Sequence, residues 1–347
     1  SVKNALAMQV PPMMINDIFI SHLHSDHMAD LAYMYPFTAW AGRWQPLRLY
    51  GPSGATPELG IKHMATHMRE MLRWHEENFL HATISAGYEM DVTEFDRKDE
   101  NGVCYDQDGI KVRHWPRSHV KDGASAYRLD WEDAGLSVVW TGDGRPDETT
   151  EKYAAGADVY ITEGQIDTPG LMALKFGTPE DLVGYTIDSW HTMYYAAGYL
   201  MDKVQPRLGM IVHYEDPGVG MHAESVAEVR SQYDGLWMFG GPDIQVVNVT
   251  KDAIWSREAA VPEGAAITPL DPRWLLPQPL PETLEIPRPE MPREQQQEQF
   301  LRDMEIDPHL YYPPDADRPP IQVWPDEGFK IDPRAMLRAR GIDPDAD

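Results

Sequence analysis

The sequence predicts a mixed α/β body over residues 1–260 and a proline-rich extended arm over residues 261–347. In the body, short β-branched or aromatic runs bounded by turn residues alternate with longer helix-period segments, the layout of an α/β domain. Beyond Val261 the composition shifts, because more than half of the 30 prolines fall in this last quarter. Proline removes backbone donors and fixes φ, so the segment is not expected to build a sheet interior. The third observation is chemical. Three histidines and an aspartate crowd into His22-Leu-His24-Ser-Asp26-His27, directly after the first predicted strand, and an ordinary apolar core has no use for so much chelating chemistry in one turn of chain.

Asp17–Ile20 reads as a buried strand. Alternate residues of an extended chain face one way, so His22 and His24 leave its end on the same side. Asp26 and His27 then fall on the first turn of the next helix, where the chain bends back toward the same point. Leu47–Tyr50 is the next strand, and Gly51-Pro-Ser-Gly54 after it reads as a turn rather than a phosphate cradle, since no Lys-Ser/Thr follows. Glu58–Glu77 has helical period. Its His63 and His67 stand at i and i+4, but the glutamate of a zincin is absent and Met64, Met68 and Met71 surround them, so they read as a packed or surface helix. Ile110–Trp115, Ala126–Trp131, Ser137–Trp140, Val159–Thr162, Leu208–Val212 and Ile244–Val249 are further strands, and Thr192–Lys203 and Ala223–Tyr233 further helices. Three of these strands lead to candidate ligands: His119 follows Trp115, Asp143 follows Trp140 in Thr141-Gly142-Asp143, and His213 follows Val212. Singly, Asp143 reads as an Asx turn or helix cap and each histidine as a satisfied core residue. Their joint occurrence after the first cluster argues for a metal site. Tyr35, Trp40, Trp190, Tyr194 and Tyr214, the aromatics nearest the ligand loops, are candidates for a pocket wall.

Composition bounds the remainder. A chain of 347 residues, 42% hydrophobic, can bury a large core. Its formal charge of −26 sets up a field that repels phosphate backbones and anionic lipid, so the expectation is no nucleic acid and no membrane as partner. No window approaches 18 consecutive apolar residues. The single Cys104 excludes an intramolecular disulfide and fits either redox compartment, periplasmic or cytoplasmic. The numbering starts at Ser1 without an initiator Met, so upstream sequence is expected. In the arm, Trp274, Tyr311, Tyr312 and Trp324 are too many large aromatics for a solvated tail. They are expected to anchor it across a neighbouring subunit and so make a homo-oligomer.

His22-Leu-His24-Ser-Asp26-His27, His119, Thr141-Gly-Asp143, His191-Thr192 and His213, in that order, resemble the metallo-β-lactamase superfamily of dinuclear metallohydrolases. Gly142-Asp143-Gly-Arg145-Pro146 is similar to the Gly-Asp-x-Arg-Pro pattern of its arylsulfatase-like and ribonuclease Z-like branch. The resemblance covers about residues 10–250. It implies a four-layer αβ/βα sandwich, with one metal on His22, His24 and His119, a second on Asp26, His27 and His213, and Asp143 bridging both. It gives catalytic roles to Asp26 and to His191, the latter as donor to the leaving group; the alternative for His191 is packing under Trp190. The chain departs from the family in three ways. Only 21 residues precede His22, so the N-terminal strands of the first sheet are expected to be missing from the numbered chain. No basic exosite arm for tRNA is visible. Thr162-Glu163-Gly164 stands where many relatives have His-Glu-Ala, which keeps Glu163 as a carboxylate behind the ligands.

The ligand set holds imidazoles and carboxylates but no thiolate, which suits zinc first and iron or manganese second. Two divalent ions about 3.5–4 Å apart share a water and lower its pKa, leaving a bridging hydroxide nucleophile near neutrality. The expected function is therefore a metal-dependent hydrolase of a small-molecule ester, phosphodiester or sulfate ester ahead of lactone. The alternative is a mononuclear iron oxidoreductase on the same scaffold, similar to persulfide dioxygenases.

Overall fold

The short apolar runs assemble into two principal sheets in the computed structural model, which describes residues 12–80, 83–119, 124–165, 190–214, 222–241, 245–258, 279–286, 329–339 and 341–345. The first sheet joins β1 (Asp17–Phe19), β2 (Leu47–Pro52) and β3 (Met90–Phe95) in that order, all parallel. The second contains β4 (Gly102–Gln107), β5 (Ile110–Arg117), β6 (Ala124–Trp131), β7 (Leu136–Trp140), β8 (Val159–Glu163), β9 (Leu208–Val212) and β10 (Trp237–Phe239), laid side by side in sequence order. Neighbours from β4 to β7 are antiparallel and those from β7 to β10 parallel. As a result β5, β7, β8 and β9 run the same way and deliver their C-terminal ends to one edge, the place where open α/β sheets bind ligands.

Helices cover the outer face of each sheet. On the first, α1 (Ser25–Trp40) and α2 (Ile61–Met71) bury Leu31, Tyr35, Ala39, Ile61, Ala65 and Met68 against Leu47 and Leu49 of β2. The helical period predicted for Glu58–Glu77 is broken: α2 stops at Met71, Leu72 takes φ −96° and ψ 6°, and α3 (Arg73–Phe79) restarts. The break returns Phe79 and Leu80 to the same core. On the second sheet lie α4 (Glu148–Ala154), α5 (Tyr194–Val204) and α6 (His222–Arg230). Here α5 turns Tyr194, Ala197, Leu200, Met201 and Val204, a helix-period stripe, onto Trp115, Tyr160 and Ile211. Burying large side chains of this kind contributes about 1.5–3 kcal/mol each.

Between the sheets lies a layer of rings. Phe19 stacks on Tyr50 at 4.6 Å and meets the edge of Tyr127 from the second sheet at 5.7 Å, while Phe95 stacks on His114 at 3.6 Å. Helix, sheet, sheet, helix is thus the order of layers, as the sequence implied. Where the first sheet gives out, a hairpin of β11 (Gln245–Val249) and β12 (Ile254–Glu258) packs Val247, Val249 and Ile254 on Val159, Leu208 and Met210. Among the described residues no helix is long and apolar enough to cross a membrane.

Of the expected arm, the described residues are not simply extended. β13 (Leu284–Ile286) pairs antiparallel with β14 (Phe329–Ile331), and α7 (Pro333–Ala339) follows. A two-stranded pair has only edges, so it tolerates proline-rich flanks that a sheet interior would not. The anchors Trp274, Tyr311, Tyr312 and Trp324 lie outside the described residues.

Two hydrogen bonds tie the end of the first sheet to the second: Tyr127 Oη donates to the carbonyl of Ile20 at 2.6 Å, and Ser125 N–H donates to the carbonyl of Ser21 at 2.9 Å. Tyr127 is buried, so Tyr127→Phe leaves a buried carbonyl without its donor. The expected loss is about 1–3 kcal/mol of unfolding free energy by urea titration, and an unchanged midpoint would show that the two sheets are not tied at this point.

Candidate metal centre

The strand β1 ends against the second sheet, and the next residues carry the first three candidate ligands into one place. His22 Nε2 and His24 Nδ1 lie 3.0 Å apart, and His119, beyond the end of β5, brings its Nε2 to 3.4 Å from His24 Nδ1. The tautomer of His119 is fixed by its surroundings: Nδ1 donates to the carbonyl of Trp190 at 2.7 Å, which leaves the Nε2 lone pair for a metal. His24 also occupies the N-cap of α1, but its side chain makes no capping hydrogen bond. That ring is turned to its histidine neighbours instead.

A second group sits beside the first. Asp26 Oδ2 is 3.1 Å from both His27 Nε2 and His213 Nε2. Asp143 lies between the two groups, with Oδ2 at 3.2 Å from His27 Nε2 and 3.9 Å from His22 Nε2, and Oδ1 at 3.6 Å from His213 Nδ1. All seven residues proposed from the sequence are therefore neighbours. Taken as His22, His24 and His119; His22, His27 and Asp143; and Asp26, His27 and His213, the donor atoms within each set fall within 4.8 Å of one another.

Backbone conformation makes the convergence possible. Gly142 takes φ +61°, and a Cβ on it would stand 2.7 Å from the Cβ of Ser21. Only glycine lets the turn after β7 lie against the end of β1. His213 adopts φ +47°, uncommon for a residue with a side chain and costing on the order of 1–3 kcal/mol. The amide of Gln165, donating to the His213 carbonyl at 2.9 Å, holds it there.

Behind the ligands stand groups that sequence reading only partly identified. Glu163 is buried; its Oε1 accepts from Gly144 N–H at 2.7 Å and Thr192 N–H at 3.2 Å, and its Oε2 receives His191 Nδ1 at 2.6 Å. Arg117, equally buried, donates through Nη2 to the carbonyls of Gly144 at 2.6 Å and Arg145 at 2.9 Å, bolting the Gly-Asp-Gly-Arg turn from below. Neither Arg117 nor Gln165 was singled out by its motif. Their only signal was position: Arg117 two residues before His119, Gln165 two after Glu163. Of the aromatics expected to wall a pocket, Tyr35 and Tyr194 are core residues instead.

Charge is arranged for cations. Burial pushes the Asp143 carboxyl up, but His27, His213 and His22 outweigh it and hold the group far below the usual carboxylate range. Burial, aided by His27, lowers His22 to about 3, and burial also lowers His119, so both stay neutral and can coordinate. Among the described residues, His27 Nε2 and Asp143 Oδ2 are buried and lack a hydrogen-bond partner. Buried orphans of this kind cost free energy unless something binds them, and an imidazole–carboxylate set with no thiolate fits a divalent metal ion.

His213 behaves oppositely. Burial lowers its pKa, but Glu163, Asp143 and Asp26 prevail and raise it to about 9. In metal-free protein this proton stabilises the fold fully below the ordinary value of 6.5 and is lost as pH rises through about 9. The urea midpoint of chelator-treated protein, taken relative to His213→Ala, is expected to fall across that window. A gap that widens with pH would refute the assignment.

No family model matches the sequence. Among curated proteins, the chain is 29% identical over 165 residues to the ribonuclease Z of Mycobacterium avium (strain 104), covering 46% of this chain and 55% of that protein. It is 31% identical over 150 residues to the ribonuclease Z of Mycobacterium sp. (strain KMS), covering 42% and 49%. The chain thus spans about half the length of the curated relatives it matches. Among solved structures it is similar to the metallo-β-lactamase fold protein YhfI from Bacillus subtilis, with TM-score 0.48 and 17% identity over 74% of this chain and 83% of that one. It is also similar to the short form of human tRNase Z, with TM-score 0.47 and 15% identity over 69% and 81%. Relatives that are ribonucleases overturn the expectation of a small-molecule substrate and no nucleic acid. Net charge is a poor guide to local partners, because a summed charge is screened within about 8–10 Å and part of the acidic excess lies in residues 261–347, outside the stretch of sequence that carries the motifs. The curated relatives support the reading of the ordered motifs as similar to those of ribonuclease Z-like proteins of the metallo-β-lactamase superfamily.

Proposed function

We propose that this chain is a metal-dependent phosphodiester hydrolase acting on RNA through a dinuclear site. The observation that supports it most is Asp143: one buried carboxylate faces a three-histidine group on one side and the Asp26, His27 and His213 group on the other. In this reading His22, His24 and His119 would hold one ion, Asp26, His27 and His213 would hold the other, and Asp143 stands where it could serve both. Zinc is the first choice for such donors, with iron or manganese second. When bound, the ions supply Lewis acidity and an activated water.

The remaining chemistry belongs to the chain. His191 Nδ1 is committed to Glu163, so Nε2 is the nitrogen left to give a proton to the leaving oxygen. Glu163 positions that ring, and its two backbone N–H contacts, Gly144 and Thr192, fix it relative to the turn that carries Asp143. Asp26, more exposed than Asp143, accepts from His213 Nε2 and can pass a proton between the site and solvent. Burial raises its pKa, but the contact with His213 and the neighbouring His27 keep it ionised.

Metal analysis and turnover test this reading together. Two ions per chain and hydrolysis of bis(p-nitrophenyl) phosphate and of a short RNA are expected, with sulfate esters cleaved poorly. One iron per chain without hydrolysis would turn the reading toward an oxidoreductase. Asp143→Ala should lose metal and turnover together, and retention of both sinks the bridging role. His191→Ala should lower kcat by a factor on the order of 10²–10⁴ with metal content intact. That loss should shrink as the leaving group improves, and equal losses across a leaving-group series would mark His191 as structural.

A further inference from the structure

Beside the metal centre, a cavity of about 400 Å³ opens between the turn after β7 and the outer side of α5. Arg145 and His191 are among its lining residues at the turn, Tyr195 and Tyr199 come from α5, and Gln232 follows α6. The volume falls within the range of small-ligand sites, roughly 300–1,000 Å³. It is too small for a helical stretch of RNA and large enough for one nucleotide.

The lining has a definite chemistry. No carboxylate is among its lining residues in the described part of a chain of net charge −26, although Glu151 hydrogen-bonds Tyr199 from outside the cavity. The backbone of Arg145 is held on two sides, its N–H donating to the Ser118 carbonyl at 2.9 Å and its carbonyl accepting from Arg117. Its side chain is exposed, so a cation on an anchored stem is available to an anionic group. Tyr195 and Tyr199 are 43% and 38% exposed, although α5 buries its other aromatic, Tyr194, completely in the core. Lys203 Nζ stands over the Tyr199 ring at 5.1 Å, so the open aromatic face is that of Tyr195, a surface of the kind on which bases stack. Gln232 adds an amide that both donates and accepts, as a base edge requires.

Resting on the hydrolase reading above, we propose that this cavity is the subsite for a single nucleotide at the scissile position. Its base stacks on Tyr195, and Arg145 engages a phosphate. Because His191 lines the same cavity, the nucleotide held there is the one that carries the leaving oxygen.

Equilibrium titration of the full metal-loaded chain with AMP, adenosine and inorganic phosphate tests this without turnover. Wild type is expected to bind AMP more tightly than phosphate. Tyr195→Ala should weaken AMP and adenosine by about tenfold, while Tyr195→Phe, which keeps the ring, should restore both. Arg145→Ala should weaken AMP and phosphate but not adenosine. The subsite is overturned if both alanine variants change AMP binding by less than about twofold, the scale of ordinary non-additivity, or if wild type binds AMP no better than phosphate. The two readings fail separately: AMP binding with this variant pattern but no phosphodiester hydrolysis keeps the subsite and removes the hydrolase, and hydrolysis with variant-insensitive AMP binding does the reverse.

Discussion

The placement of every candidate ligand depends on how the end of β1 is fastened to the second sheet. Tyr127 and Ser125 donate to the carbonyls of Ile20 and Ser21, and Gly142 lets the turn after β7 close over Ser21. His22, His24, Asp26 and His27 leave the first sheet within one turn of chain, whereas His119, Asp143 and His213 come from the second. A sideways slip of one sheet by a single residue, about 3.3 Å, would separate these sets beyond coordination range. The ring layer between the sheets supplies the area, and these few polar contacts supply the register.

Electrostatically the centre is a compromise settled by burial. Desolvation alone would raise the carboxyls of Asp143 and Glu163 and lower His22, His119 and His213. The carboxylates escape because imidazoles surround them, and His213 retains its proton because three carboxylates face it. Glu163 completes the arrangement with two backbone donors on one oxygen and His191 on the other. The preference of this pocket for cations is local, which is why the charge of the whole chain was a poor guide to its partners.

Much of this was legible from the sequence, for identifiable reasons. Leu208–Val212 was read to the residue because a parallel central strand is an unbroken apolar run between turn residues. The candidate ligands stood out in the sequence because metal chemistry restricts residue type, and the structure brings them together. β3 and β4 were not read, since neither Met90–Phe95 nor Gly102–Gln107 is a continuous β-branched or aromatic run, and β4 carries a register shift between Val103 and Tyr105. The break at Leu72 was invisible because the helical period continues through it. Arg117 and Gln165 escaped because what they do lies in contacts with backbone carbonyls distant in sequence, and no local pattern records such contacts.

The contact between Asp26 and His213 joins residues 187 positions apart. Bringing such distant groups together requires closing long loops before any metal contact can reward the closure. No contiguous fragment shorter than residues 22–213 contains the complete ligand set. The candidate ligands therefore meet only after both sheets have docked, and a nascent chain stopped before β9 does not yet contain His213.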